Sequence, residues 1–465
     1  MPYPRNSRRL ITSAFSTLFL FASSQALSAT VGQSVADYMV TQWSDLSSTS
    51  CGTKCFSLTY SSVPATPNPK GWEYTNGVAL GAMWKLYEKT GDVKYYNYVK
   101  KFVDKYVSSS GSVPTSTNQD GIQPAILLPG LYDKTKDARY LTAMTKVRAS
   151  IDALKKNSGG AFWHKSNYPD QQWLDGLYMT EPFLATYAAK YANTVKSGDA
   201  TVAFNIVTKQ FKVAYERLFD ASKKLPYHAW NGASDGVWAG LQPGSGKMPP
   251  KNGQVVSPIL WSRAIGWYFA GLIDVLEHLP SNHADRAQLV SIANTLAQGL
   301  AAQQDASTGL WYQVTDVRNT ALPANGGYSG ESVAAQQNWL ETSASALFAY
   351  GLAKGARLGI LSSASKTVAT KAWTGIKSKV VISGSTVTVK GGVAGMGVGG
   401  TYNAYVNADF RTDLSSGALP APKDKCSSLP TGFTSVPLAC KYIYVRDNVP
   451  QAVGAVMLAS SELEF

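Results

Sequence analysis

Charge, cysteine and histidine are all scarce in this chain, and each scarcity removes a class of protein. Charged side chains make up 16% of 465 residues against 45% apolar ones, a balance that speaks for a large buried core and against a disordered chain. There are four histidines and no HExxH or EF-hand pattern, so no metal and no cofactor is expected. The four cysteines are Cys51, Cys55, Cys426 and Cys440. CGTKC has no neighbouring histidine or second CxxC to make a zinc site. The even count instead suggests two disulfides, with the local pairings Cys51–Cys55 and Cys426–Cys440 preferred among three connectivities. No N-x-[ST] glycosylation sequon occurs. The formal charge of +13 is spread over scattered lysines, paired at most, as at Lys100–Lys101. No basic stripe marks a nucleic-acid partner. Past the first thirty residues there is no uncharged apolar run long enough to span a membrane, so no membrane partner is expected.

What the chain does have begins with an address. Arg5, Arg8 and Arg9 precede LITSAFSTLFLFASS and the small residues ALSAT, which is the layout of a secretory leader cut after Ser28 or Ala29. The mature protein is therefore expected to be secreted, extracellular and soluble. Residues 30–465 read as one domain acting as a monomer. Apolar residues recur at spacings of three and four over twelve segments, 33–46, 76–89, 93–108, 122–132, 138–155, 180–195, 199–219, 260–277, 284–303, 339–357, 364–379 and 449–463. The class is all-α. Six successive helix pairs without a fixed repeat, joined by long Gly-rich and aromatic segments, fit a closed α/α toroid better than an open solenoid. VVISGSTVTVK at 380–390 alternates as a short β-hairpin excursion near the C-terminus.

Two literal motif matches carry nothing. Gly395, Gly397 and Gly400 spell GxGxxG, but no helix follows and no strands alternate with helices. Gly232 to Gly236 spells GxSxG without the strand and helix that a nucleophile elbow needs. His278 and His283 bracket a helix end, where a cation facing terminal carbonyls accounts for them.

Polar groups in aromatic surroundings concentrate in three loops. One holds Asp120, a second is FWHKSNYPDQQWLDGLYMTEP, and the third runs from YHAW to SPILWSRAIGWY. All three lie between helices in ways that let them share one face. A helix unbroken from Asp175 would place Pro182 inside it, at a cost of roughly 3 kcal/mol. The regular helix is therefore expected to start near Thr180, with Glu181 as a favourable charge in its first turn and Asp175 in the turn leading in. Asp170, after a proline in a polar loop, reads as solvated. On the residues alone, Asp175 as a chemical group and Asp175 as a turn cap stand level.

The motifs WHK, YPDQQWLDGLYMTEPF, YHAW, WSRAIGWY, GLWYQV and LETSASALFAYGLAKG, in this order, resemble glycoside hydrolase family 105, the unsaturated rhamnogalacturonyl hydrolases. The resemblance runs from about Trp72 to the end of the chain and implies an (α/α)6 toroid. It implies as substrates oligosaccharides capped by a uronic acid with a C4–C5 double bond, the ends that polysaccharide lyases leave in pectin. In this chemistry one aspartic acid protonates C4 and its carboxylate then activates the water that adds at C5. The resemblance puts Asp175 in that role and Asp120 beside it as the second catalytic acid. His164, Lys165, His228 and Arg263 match substrate-binding positions, and Trp163, Trp173, Trp261, Trp267 and Tyr74 are candidates to wall the sugar. An acid that starts protonated is expected to have a raised pKa, through apolar burial. Asn231, where the family usually has Asp, and Ser262, where it usually has Gly, depart from the pattern and leave the leaving sugar open, rhamnose of pectin or sulfated rhamnose of ulvan.

Overall fold

The computed structural model describes residues 29–43, 71–114, 117–233, 256–257, 259–318, 338–398 and 445–465. The expected leader, the four cysteines with their expected disulfides, and parts of both glycine motifs lie outside the described residues. The helices are α1 (Val31–Gln42), α2 (Tyr74–Thr90), α3 (Val93–Tyr106), α4 (Leu127–Thr135), α5 (Ala138–Asp152), α6 (Leu174–Met179) and α7 (Glu181–Lys190). They continue with α8 (Ala192–Val195), α9 (Asp199–Leu218), α10 (Ser262–His278), α11 (Arg286–Gln303), α12 (Thr342–Arg357), α13 (Ala364–Ser378) and α14 (Pro450–Leu463). Each of the twelve expected segments is helical, with ends displaced by a few residues, and the 180–195 segment divides at Tyr191.

Two burial patterns sort these helices into two rings. α3 buries one stripe, Tyr95, Tyr98, Val99, Phe102 and Val103, and leaves its lysines in water, as an outer helix does. α12 buries every residue from Thr342 to Gly355, and α14 every residue from Pro450 to Ser461. A helix enclosed on all sides must have neighbours on all sides. The inner ring runs α2, α4 with the 3-10 turn Gln123–Ile126 ahead of it, α6–α7, α10, α12 and α14, which packs back on α2. Outside it lie α3, α5, α9, α11, α13 and, across the seam beside α14, α1. The fold is an (α/α)6 toroid.

Local signals set several ends. Thr30 accepts from the Gln33 amide while the Gln33 side chain accepts from the Thr30 amide, a full capping box for α1. Asp92 and Asp137 cap α3 and α5 through their carboxylates. Strands are short and paired antiparallel: β1 (Gln171–Trp173) with β4 (Ala229–Asn231), and β2 (Phe219–Asp220) with β3 (Leu225–Pro226). β5 (Val380–Ser383) pairs with β6 (Thr386–Val389), the expected hairpin, and β7 (Gly392–Val393) with β8 (Val445–Arg446). His278 does end α10, but not as a cation: burial carries its imidazole down to about 4.

Candidate active site

A sheet of two three-residue strands makes the central contact. β1 and β4 register Trp173 opposite Ala229, and the Leu174 amide donates to the His228 carbonyl at 3.0 Å. The next residue along, Asp175, then lies against the His228 ring, with Oδ2 2.9 Å from Nε2 across 53 residues of sequence. Asp175 sits in the first turn of α6, not in an irregular turn as the position of Pro182 had suggested. The proline does set a break, one turn later. α6 closes with the Thr180 amide on the Gly176 carbonyl, and α7 restarts with Pro182 in its first turn. Gly176 leaves room for the Gln119 side chain, whose Nε2 would lie 2.4 Å from a Cβ there and would have to move.

Glu181 departs further from expectation. It opens α7, but it is fully buried and neither carboxylate oxygen has a partner. Burial pushes its carboxyl well above the usual range, the opposite of the favoured negative charge at a helix start that the sequence suggested. Asp170 takes a left-handed backbone (φ 58°) and is half-buried, and its carbonyl accepts from Asn157 and Gly232.

A second acidic group stands on the same mouth. Asp120, just ahead of the 3-10 turn, is 2.5 Å from the Lys165 ammonium and 3.6 Å from His164 Nε2. His164 stacks on Trp173 with centroids 4.6 Å apart, and Tyr168 also stacks on Trp173, at 4.9 Å. His228 meets the edge of the same indole. Trp173 therefore separates the two aspartates' histidines and fixes both rings.

The electrostatics follow from this layout. Burial would raise the Asp175 carboxyl, but His228, then His164 and Arg263, outweigh it and hold it below the usual carboxylate range. This reverses the expectation of a raised pKa: the apolar surroundings are there, but so are three cationic or donor neighbours. His164 is lowered, by its burial first and by Lys165 as well, despite the attraction of Asp120 and Asp175.

The remaining candidates divide by exposure. Trp163 is half-buried under the Lys155 ammonium, and Tyr74 is half-buried with its hydroxyl accepting from Gln451. Trp261 is sealed behind His228 and donates to Gln313. Trp267 is sealed against Tyr178 in the core, so it packs the ring and does not line the mouth. Arg263, at the start of α10, donates to the Val393 and Ala394 carbonyls and to Ser343 Oγ. Ser262 and Asn231 are both fully buried, the latter turning its amide oxygen to the Ala233 amide. Sequence reasoning overlooked Tyr168, Gln119, Gln451 and Glu341. Only Glu341 carried a signal, an acidic residue three positions ahead of Ala344, whose amide it caps.

Asp120 and Asp175, with Arg263, Ser343, Gln451 and Tyr74, gather where the inner helices begin, so their positive dipole ends face this mouth. The far end is different. A cavity of about 420 Å³ opens there, lined by Trp84, Tyr178, Asp274, Glu277, Tyr350 and Lys354, and it contains none of the site candidates. Its charges are matched internally, as in Lys354 with Asp274 and Glu277 at 2.5 and 2.7 Å. Among the described residues no group of three or more His, Cys, Asp or Glu is placed to hold a metal ion. No described helix is long and apolar enough to cross a membrane.

A model of Glycosyl Hydrolase Family 88 matches residues 49–418. The chain is 37% identical over 153 residues to Protein Atu3128 of Agrobacterium fabrum, covering 33% of this chain and 53% of that one. It is 26% identical over 254 residues to the unsaturated rhamnogalacturonyl hydrolase YesR of Bacillus subtilis, covering 53% and 64%. The chain thus spans roughly half to two thirds of the length of these curated relatives. A family 105 glycoside hydrolase structure from C. acetobutylicum superposes with a TM-score of 0.68 at 26% identity, over 94% of this chain and 99% of that one.

Proposed function

The chain belongs to glycosyl hydrolase family 88/105, and from that premise we propose that it hydrolyses the terminal 4,5-unsaturated uronic acid from oligosaccharides left by polysaccharide lyases. The observation that carries this reading is the contact between Asp175 and the buried His228, on the mouth where the inner helices begin. A glycosidase that acts on the glycosidic bond itself needs two carboxylates flanking it. An enol ether needs one proton donor that can turn into a base, and Asp175 with a histidine at hydrogen-bond distance is equipped for that exchange. The carboxyl protonates C4, and positive charge develops at C5 and the ring oxygen. The carboxylate then takes a proton from the water that bonds to C5. The resulting hemiketal opens, and the neighbouring sugar leaves with its own oxygen.

Asp175 is held low without substrate, so the proton must be favoured on binding. The incoming uronate is an anion, and a like charge within about 4–6 Å raises a carboxyl's proton affinity. Asp120 with Lys165 and His164 supplies the donors beside it. The leaving sugar in this reading is rhamnose of rhamnogalacturonan, with ulvan fragments as the alternative, and the enzyme acts outside the cell after loss of its leader. The test is a panel of lyase-generated disaccharides from rhamnogalacturonan, ulvan, chondroitin and gellan, followed by ultraviolet absorbance of the double bond. Loss of absorbance fastest on the rhamnogalacturonan fragment is expected. Growth of absorbance on intact polymer would make the protein a lyase and overturn the reading.

A further inference from the structure

Residue 393 is held by both of its polar backbone atoms, each gripped by a buried group of opposite charge. Its amide donates to Glu341 Oε1 at 3.1 Å, and its carbonyl accepts from Arg263 Nη1. Arg263 Nη2 reaches the next carbonyl, Ala394, at 3.3 Å, where Gln451 also donates at 2.9 Å. Glu341 is itself fixed: it accepts from the Ala344 amide at 2.6 Å and from Ser343 Oγ at 2.7 and 2.8 Å. Arg263 is 1% exposed and Glu341 0%. Four residues further on, Val398 packs against Trp173 and Ala229, and its carbonyl accepts from Ser257.

We infer that Arg263 and Glu341 form a clamp that holds residues 392–398 against Trp173 as one wall of the saccharide pocket, with Arg263 a positioning residue and not the partner of the uronate carboxylate. The pocket half of this inference rests on the function proposed above; the clamp itself does not. The donor geometry carries the argument. A guanidinium that binds a carboxylate does so through two parallel N–H bonds; both terminal nitrogens of Arg263 are already directed at carbonyls of the wall, and Nε, which has no partner among the described residues, is buried out of reach of solvent. Turning them to a ligand strands the buried Val393 carbonyl and leaves Ala394 to Gln451 alone, which is costly. The division of labour is also chemical: an amide needs an acceptor and a carbonyl a donor, so an acid and a base at the starts of the adjacent inner helices α12 and α10 suit one residue between them.

The test compares Arg263→Lys and Glu341→Gln with the wild type on an unsaturated uronyl disaccharide and on its uronate methyl ester, and measures amide hydrogen exchange across 392–398. Loosening the wall is expected to raise KM about tenfold with kcat within about threefold, by the same factor for acid and ester. Exchange in 392–398 is expected to accelerate in both variants while the inner helices stay protected. Circular dichroism reports whether each variant is folded, and if Arg263→Lys is not, Glu341→Gln decides. A loss in Arg263→Lys confined to the acid substrate would make Arg263 the carboxylate's partner and overturn the positioning role. Unchanged exchange in both variants would overturn the clamp. If the wild type turns over neither substrate, the proposed function fails, and the exchange data still decide the clamp.

Discussion

Asp175 and Glu181 are carboxyls on consecutive short helices, the first largely and the second fully withdrawn from solvent, and their surroundings send them in opposite directions. Burial raises each, but Asp175 has His228, His164 and Arg263 near it and ends low, whereas Glu181 has no partner and ends high. Proximity to charge, not depth, separates the proposed acid from Glu181. For Glu181 the linkage sign is that of a raised acid: the folded state binds the proton more tightly, so stability is complete below the unfolded value near 4.5 and is lost as pH rises towards the folded value. Glu181→Gln keeps the shape without the ionisation. It is expected to flatten the decline of the urea midpoint as pH rises above about 4.5, and an unchanged slope would contradict a raised Glu181 carboxyl. For Asp175, kcat/KM reports the free enzyme and kcat the complex. Activity that depends on a protonated carboxyl falls as pH rises through its pKa. The fall in kcat is expected at higher pH than the fall in kcat/KM, because the bound uronate favours the proton.

At the scale of elements, the helices were legible in the sequence and the site was legible only in pieces. Inner helices such as SASALFAYGLAKG announce themselves by apolar and small residues on every face, and outer ones by a single stripe. The pairing of β1 with β4 could not be read, because three-residue strands whose partners lie 56 to 60 positions apart (173 to 229, 171 to 231) have no alternation long enough to detect. That pairing is what joins Asp175 to His228, so the residues were found through resemblance and their contact only through the fold. Glu181 was misread for a related reason: its place in a first turn was evident, but which inner helices would cover it was not. The far ends of the inner helices hold an element-scale device of their own. Burial would raise the Glu277 carboxyl, yet Lys354 beside it carries it down to about 2. A depressed acid stabilises above its unfolded value near 4.5, and that share is lost as pH falls towards 2. Lys354→Met leaves Asp274 and Glu277 without their cation and is expected to cost about 3 kcal/mol at pH 7. The deficit should shrink below about pH 4.5, as seen by urea unfolding, and a deficit independent of pH would remove the ion pair from the explanation.

The whole molecule depends on closing the ring, where the last inner helix meets the first. Gly454 on α14 lies so close to α2 that a Cβ there would stand 2.8 Å from Val78 Cγ1 and 3.1 Å from the Ala79 backbone. Helix propensity alone favours alanine by about 1 kcal/mol. The overlap is with a stiff β-branched side chain and a helix backbone, and overpacking costs about 1–3 kcal/mol. Gly454→Ala is therefore expected to lower thermal stability, and a rise in Tm would show that the seam has slack. Closure gathers the starts of the inner helices on one mouth, and the proposed chemistry depends on that convergence. The most direct measurement is the ultraviolet absorbance of an unsaturated uronyl disaccharide with wild type and Asp175→Asn, alongside substrate affinity by calorimetry. The wild type is predicted to bleach the double bond, and Asp175→Asn to bind comparably while slowing by about 10²–10⁴-fold. A variant that keeps most of the wild-type rate would contradict the account.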